Sequence, residues 1–362
     1  MSQGVGILIA FLVFSFIVFI HELGHFLLAR KGGIGVEEFA IGMGPKLWST
    51  KKGDTVYSIR LLPIGGFCAM LGEDSAGGGM SSDNKDETID IATDPRAFNN
   101  RPLKDRFWAI LAGPMFNFLL ALVFAVILIF ATGAVSTTVL DHVEPESPAY
   151  QAGLRNGDQL LAINGHRILD PLEASTYILV EQGRPVMVEV LREGQKKSFE
   201  VTPKEVERGE QKIYMIGIGY KIIEPNFFQT LYYAFFKFAS MIKMTFFSLF
   251  ALITGQVSLK MLSGPVGIVN ALSKSYGTSM AIWQFIATVS GQIVLLSANL
   301  GIMNLLPIPA LDGGRIVFLA VEAIRGKPID PKKEGYIHLA GFVLLMLLMV
   351  IIFYTDIMKL IA

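Results

Sequence analysis

From Val5 to Ala29 the chain is an apolar run whose only ionisable residues are His21, Glu22 and His25, set as His-Glu-Leu-Gly-His near its far end. A helix needs about 20 residues to cross a bilayer, so the rest of the chain must fold around a membrane helix that carries three ionisable side chains. Each such group near the bilayer centre costs on the order of 3 kcal/mol and usually marks function. Apolar residues would pack there at lower cost. Residues four apart on a helix are separated by about 40°, so both imidazoles share a face and can reach one metal ion. Glu22 is then left free. Zinc takes two or three N/O ligands with a position open to water, and a nearby carboxylate outside the ligand set can accept that water's proton.

Composition agrees with a membrane protein that has a water-facing part: 362 residues, 52% hydrophobic and 17% charged, with a positive mean hydropathy. The formal net charge is zero, which leaves no global basic field for nucleic acid. Cys68 is the single cysteine, so no intrachain disulfide exists, and it reads as a small buried hydrophobe. No Lys or Arg precedes the first apolar run and no small-residue cleavage pattern follows it, so it is expected to be a retained helix. Arg30 and Lys31 close it. The stretch from there to Arg106 carries Lys46, Lys51, Lys52, Arg60, Lys85, Arg96, Arg101 and Lys104, which makes this loop cytoplasmic and the N-terminus external.

Within that loop, residues 47–50, 51–54 and 55–62 read as strand, turn and strand, flanked by Gly42-Met-Gly44-Pro45 and Gly65-Gly66. This hairpin is expected to expose a strand edge beside the metal motif, with Val56, Tyr57, Ser58 and Ile59 able to pair with an extended peptide. Ser75 to Asn100 reads as a flexible connector. Phe107 to Thr132 is a second span, with small residues at Ala112-Gly113-Pro114 for close helix approach. Asn117 in the same span serves either packing or the site.

From Ala134 to Asn226 the composition becomes that of a soluble domain. Its Ser147-Pro-Ala, Ala152-Gly-Leu, Gly157-Asp158 and Ile163-Asn-Gly165 series resembles a PDZ domain, a module that binds extended peptides by strand addition. His142 and His166 lie there and neither is expected to bind metal. Phe227 to Leu262 is apolar but interrupted by Lys237 and Lys243, and is expected to lie at the membrane interface with its lysines snorkelling. A third span, Ala281 to Leu306, ends in Asn304-Leu-Leu-Pro-Ile-Pro309-Ala-Leu-Asp312-Gly-Gly314. Prolines break the helix there and glycines allow tight backbone, which leaves Asp312 as an acid at membrane depth on the cytoplasmic side, with Arg315, Arg325, Lys327, Lys332 and Lys333 beyond it. A fourth span, near His338 to Phe353, returns the C-terminus outside, with His338 at the interface. Asp312 and the histidines thus lie toward one face of the membrane, and Asp312 supplies a third oxygen ligand.

These motifs, in this order, resemble the site-2 protease family of intramembrane metalloproteases, and within it the bacterial branch with a PDZ domain between the second and third core helices. The resemblance implies Zn2+ held by His21, His25 and Asp312, with Glu22 as general base and then acid. It implies hydrolysis of peptide bonds within transmembrane segments of single-span membrane proteins, such as anti-sigma factors or remnant signal peptides, after another protease has removed their outer part. A helical substrate must be unwound before its carbonyl meets the metal, and the freed groups need partners in lipid. Asn304 and the strand edge at Val56 to Ile59 are assigned that role. Pro309 is counted with them, its ring shaping the backbone that presents Asp312.

The expected architecture is a polytopic α-helical membrane protein with four transmembrane helices, a cytoplasmic re-entrant β-hairpin and an inserted extracytoplasmic α+β PDZ domain. Its parts are 1–133, 134–226, 227–280 and 281–362, and its expected place is the bacterial cytoplasmic membrane, with both termini and the PDZ domain outside. Its partners are single-span membrane proteins and the lipid bilayer, with no nucleic acid. One domain rather than two puts the scheme of substrate filtering apart from that of longer members. The alternative is a membrane-anchored PDZ adaptor with a degenerate metal site. A complete set of ligand candidates and base favours the protease.

Overall fold

The computed structural model describes residues 3–73, 93–208, 211–256, 264–276 and 280–361. Helix α1 (Gln3–Lys31) leads into strands β1 (Val36–Lys52) and β2 (Thr55–Met70), and after the 3-10 turn Phe98–Asn100 into α2 (Leu103–Thr132). Then come β3 (Val135–Val143), α3 (Pro148–Ala152), β4 (Gln159–Ile163), β5 (His166–Arg167), α4 (Pro171–Val180), β6 (Val186–Arg192), β7 (Gln195–Val201), β8 (Lys204–Arg208), β9 (Gln211–Met215) and β10 (Ile218–Ile223). Helices α5 (Phe227–Ile253), α6 (Pro265–Lys274), α7 (Ile282–Leu305), α8 (Asp312–Arg325) and α9 (Pro331–Ile361) complete the chain. Most of the expected connector at 75–100 lies outside the described residues, as do 257–263 and 277–279 of the expected interfacial piece. Among the described residues, five helices are long and apolar enough to cross a membrane: α1, α2, α5, α7 and α9. The chain divides into two compact units, 1–124 with 260–362, and 125–259.

In the first unit, Val13 and Ile17 of α1 bury against Leu120 of α2 and Ile293 of α7. Small residues set the spacing: a Cβ on Gly24 would come 2.5 Å from the Ala112 carbonyl oxygen, and one on Gly301 2.5 Å from the Phe118 ring. Contacts this close hold helices together in lipid, where apolar burial gives them no preference for one another. Helix α8 is tied down by ion pairs from Glu322 to Arg106 of α2 and from Arg315 to Glu73.

The hairpin is longer than the strand signals suggest, and it folds back on itself. Its register runs from Lys52↔Thr55 to Val36↔Met70, but Glu38 to Ile41 also sit opposite Val56 to Ile59, with both numbers rising together. Gly42 and Gly44, both at φ +86°, allow the bend, a conformation that costs other residues more. Segment 56–59 is therefore flanked by 48–51 on one edge and 38–41 on the other. This corrects the expectation for Val56, Tyr57, Ser58 and Ile59: their backbone has partners on both sides, Ser58 donates to Glu38 Oε1 at 2.6 Å, and Tyr57 packs on Phe26 and Phe39. An inner strand cannot accept a further one. Among the described residues, 66–69 pair only with 38–41, so the edge nearest α1 is Gly66 to Ala69.

In the second unit, strands in the order β10-β3-β4-β6-β7, with β5 on β4, form one sheet over a core that includes Leu140, Leu160, Ile163, Val188 and Tyr177. The turn signals fall where the chain needs them. Ser147 caps α3 by accepting the Tyr150 N–H, Gly153 ends that helix at φ +101°, and Asn164-Gly165 joins β4 to β5. Asp158 is 1% exposed and is held by two hydrogen bonds from Arg192 and one from the Arg155 N–H. Helix α5 belongs to this unit, and its lysines depart from expectation. Lys237 Nζ lies 3.0 Å from Asp170 and Lys243 Nζ 2.6 Å from the fully buried Glu173, while Phe247 packs on Tyr177 and His166. Charges paired in this way have no need of the headgroups.

Candidate metal centre

His21 and His25 are both 6% exposed, one turn apart on α1, and Asp312 opens α8 after the break that ends α7. Their ligand atoms form a nearly equilateral triangle: His21 Nε2 to His25 Nε2 is 3.2 Å, His21 Nε2 to Asp312 Oδ2 is 3.2 Å and His25 Nε2 to Asp312 Oδ2 is 3.4 Å. Ligands about 2.0–2.1 Å from a tetrahedral zinc stand about 3.3–3.4 Å from one another, so this triangle is one face of such a tetrahedron. Asp312 Oδ2 is buried and lacks a hydrogen-bond partner among the described residues. Three lone pairs converging in a buried place repel unless a cation lies among them. These residues are the group of His, Cys, Asp and Glu side chains that fits a metal ion among the described residues.

The surroundings orient both imidazoles. His25 Nδ1–H donates to the Ala109 carbonyl at 2.9 Å, which places its proton away from Nε2. Asn117, fully buried, sets Nδ2 3.1 Å from His21 Nδ1, and its own carbonyl accepts from Ser297 at 2.8 Å. Asn117 Oδ1 has no hydrogen-bond partner among the described residues. With that oxygen turned to the ring, the amide accepts the Nδ1 proton and leaves His21 Nε2 its lone pair. Gly113 faces both imidazoles: a Cβ there would come 2.6 Å from His25 Cε1 and 2.8 Å from His21 Cε1, and nearer still to His25 Nε2. The space for an ion exists because α2 has no side chain at this point.

Other expected residues divide. Asn304 Nδ2 lies 3.2 Å from His21 Nε2, at the rim of the triangle. Glu22, between the two histidines in sequence, is outside the ligand group, and a Cβ on Gly66 would meet its Cγ at 3.5 Å, so the hairpin edge runs against it. Pro309 lies in the turn before α8, where a Cβ on Gly341 of α9 would come 2.5 Å from its carbonyl oxygen. Its fixed φ shapes the turn. Val56 to Ile59 are inside the hairpin sheet. The His338 side chain is 13% exposed and its Nδ1 accepts the Ala310 N–H at 2.8 Å. Asn117, which the sequence leaves open between packing and the site, stands beside His21, with Gly113 four residues before it on the same face of α2.

With zinc bound at these atoms, the centre would supply Lewis acidity toward a carbonyl and make water acidic near neutral pH. The profile of "Peptidase family M50" matches residues 9–348. The zinc metalloprotease RasP of Geobacillus kaustophilus is 37% identical, over 96% of this chain and 96% of that one. The regulator of sigma-W protease RasP of Bacillus subtilis is 34% identical, over 98% and 99%, and the zinc metalloprotease RasP of Shouchella clausii 36%, over 98% and 99%. The chain belongs to peptidase family M50, the site-2 protease family, and is a zinc metalloprotease of that type.

Proposed function

We propose that this intramembrane protease holds one zinc ion with His21 Nε2, His25 Nε2 and an Asp312 carboxylate oxygen, and cuts peptide bonds inside the membrane segments of single-span proteins. The triangle of ligand atoms, with edges of 3.2 to 3.4 Å, is the observation that carries this reading. Glu22 takes the proton of the attacking water and passes it to the leaving amine nitrogen. Asn304, at the rim, donates its amide N–H groups to the substrate carbonyl as charge develops on the oxygen. The unwound substrate adds as a strand at the Gly66 to Ala69 edge, which is open in the sheet and lies against Glu22. Pro309 sets the turn that presents Asp312.

Substrates are anti-sigma-type proteins, as the sigma-W regulator among the relatives suggests, or remnant signal peptides. Both reach the site once their outer parts are trimmed. The 125–259 unit, with the turn series of a PDZ domain, filters them outside the membrane, by binding an end or by excluding bulk. The site lies toward the cytoplasmic face, where the basic loop stays, and both termini lie outside.

Four helices cross. Val13 and Ile17 of α1 share a core with Leu120 of α2, and Gly24 faces Ala112, so α2 runs against α1; Ile293 meets Val13 while Asn304 meets His21, so α7 runs with it. An even number of crossings must then separate α2 from α7. Crossing by α5 would demand a second, and α6, with ten residues, rises only about 15 Å against a core of about 30 Å. Helix α5 therefore stays with its sheet and turns its exposed Phe228, Phe250 and Ile253 to the outer leaflet.

The test is cleavage of a trimmed single-span reporter, co-reconstituted in bilayers with the native chain or with Glu22→Gln. Native protein should carry about one zinc per chain and cut within the span, and Glu22→Gln should keep the zinc and lose cleavage by at least 100-fold. Zinc-loaded native protein that leaves every such reporter intact, or a Glu22→Gln variant that still cuts, would overturn the reading.

A further inference from the structure

We propose that His338 is a positioning residue of the metal centre: by accepting the Ala310 N–H it holds the turn that aims Asp312 at the two histidines. The inference rests on the reading of Asp312 as a zinc ligand. Between the end of α7 and the start of α8 the backbone reverses within six residues, and Pro307 and Pro309 contribute no N–H to hold it. Ile308 N–H donates to Leu306 O at 2.7 Å and Leu311 N–H to Ile308 O at 3.2 Å. Ala310 between them stands at φ +78°, a left-handed conformation that a residue with a Cβ keeps only when its surroundings impose it. What the structure sets against it is one side chain from another helix: Nδ1 of His338, 2.8 Å from the Ala310 nitrogen.

The same face of α9 supports the turn a second time. Gly341, three residues on from His338, meets Pro309 so closely that a Cβ would stand 2.5 Å from both the Pro309 Cβ and its carbonyl oxygen. The His338 ring also packs against Phe318 of α8, with centroids 5.2 Å apart. Since Nδ1 accepts from a backbone N–H, the ring proton sits on Nε2, on the side of Glu334 Oε1 at 3.7 Å. The ion pairs of Arg106 with Glu322 and of Arg315 with Glu73 hold the body of α8. Neither reaches Ala310, where His338 supplies the side-chain acceptor. A metal–ligand distance tolerates about 0.2 Å, so a turn that relaxes by more than this spoils the triangle although no ligand has been changed.

The experiment measures zinc affinity of the purified full-length chain in detergent, by competition with a chromogenic chelator. It compares native protein with Asp312→Ala, His338→Leu, His338→Asn and His338→Gln, with thermal unfolding as the check on folding. An Asn side chain puts an acceptor oxygen where Nδ1 stands, while Gln puts it one bond further out. His338→Asn should therefore bind zinc within about threefold of native, and His338→Gln and His338→Leu about 10- to 100-fold more weakly. If His338→Leu does not fold, the Asn and Gln pair decides alone. Equal affinity in those two variants, or native affinity in His338→Leu, would overturn the positioning role. A native chain without zinc affinity, or Asp312→Ala binding as native does, would instead overturn the metal reading on which it rests.

Discussion

Replacing Gly113 with alanine should empty the metal centre while changing none of its ligands. The added methyl would stand 2.6 Å from His25 Cε1 and 2.8 Å from His21 Cε1, where ordinary contact begins at 3.4 Å. Either the rings or α2 must give way by at least about 0.8 Å, no less than four times the tolerance of a metal–ligand distance. Retreat of α2 by that amount would lengthen His25 Nδ1 to Ala109 O from 2.9 to about 3.7 Å and the Asn117 contact with His21 from 3.1 to about 3.9 Å, beyond hydrogen bonding in both cases. Swinging the imidazoles instead takes Nε2 out of the triangle. Both routes cost zinc affinity, by at least the 100-fold that loss of supporting hydrogen bonds can bring. Fold stability should suffer little, because overpacking costs about 1–3 kcal/mol and alanine returns about 1 kcal/mol of helix propensity. Chelator competition on purified protein reads the affinity, and thermal unfolding reads the stability. Gly291→Ala is the matched control, since a Cβ on Gly291 of α7 meets nothing within 4 Å. A Gly113→Ala protein that binds zinc within threefold of native, with Gly291→Ala unchanged, would refute the reasoning.

Asn304→Ala should lower the rate of reporter cleavage about 100-fold with zinc content intact, as expected of a donor that acts on developing charge; parallel loss of zinc would assign the side chain to the ligand shell instead. Lys243→Met leaves Glu173, fully buried and with Oε1 already unpartnered among the described residues, without its cation, and should destabilise the 125–259 unit by about 3–5 kcal/mol in denaturant titrations. Adding Glu173→Leu should recover most of that. Burial works to raise the Asp158 carboxyl, but hydrogen bonds from Arg192 and the Arg155 N–H, with the Arg192 charge, outweigh it and hold the group below its ordinary 3.8. Such a carboxylate contributes stability that is complete above its unfolded value and lost as pH falls through its folded one. The melting temperature should therefore decline only below about pH 4, and Asp158→Asn should be lower at neutral pH with a shallower acid decline, which scanning calorimetry across pH 2 to 7 would check.

What the sequence made legible is whatever depends on neighbours along the chain. His21 and His25 share a face because they are four apart, Asp312 follows a helix broken by two prolines, and each turn glycine of the 125–259 unit stands where the backbone needs it. What it hid depends on pairings over distance. Asn117 contacts His21 across 96 positions and His338 contacts Ala310 across 28, and a lone amide or imidazole in an apolar helix carries no mark of its partner.

The hairpin shows why local pattern is insufficient in principle. Alternation along 55–62 is the same whether that strand lies at an edge or inside a sheet, because side-chain period depends on which faces are covered and not on how many neighbours bond the backbone. A long two-stranded ribbon can bury more by folding back on itself, and the positive φ of Gly42 and Gly44 lets it do so. That fold turns 56–59 into an inner strand and brings 66–69 out as the edge beside Glu22. The candidate catalytic residues could thus be chosen from the alphabet of side chains alone. A surface able to meet an extended peptide backbone is made of main-chain groups, which every residue has, and only the register says which of them are free.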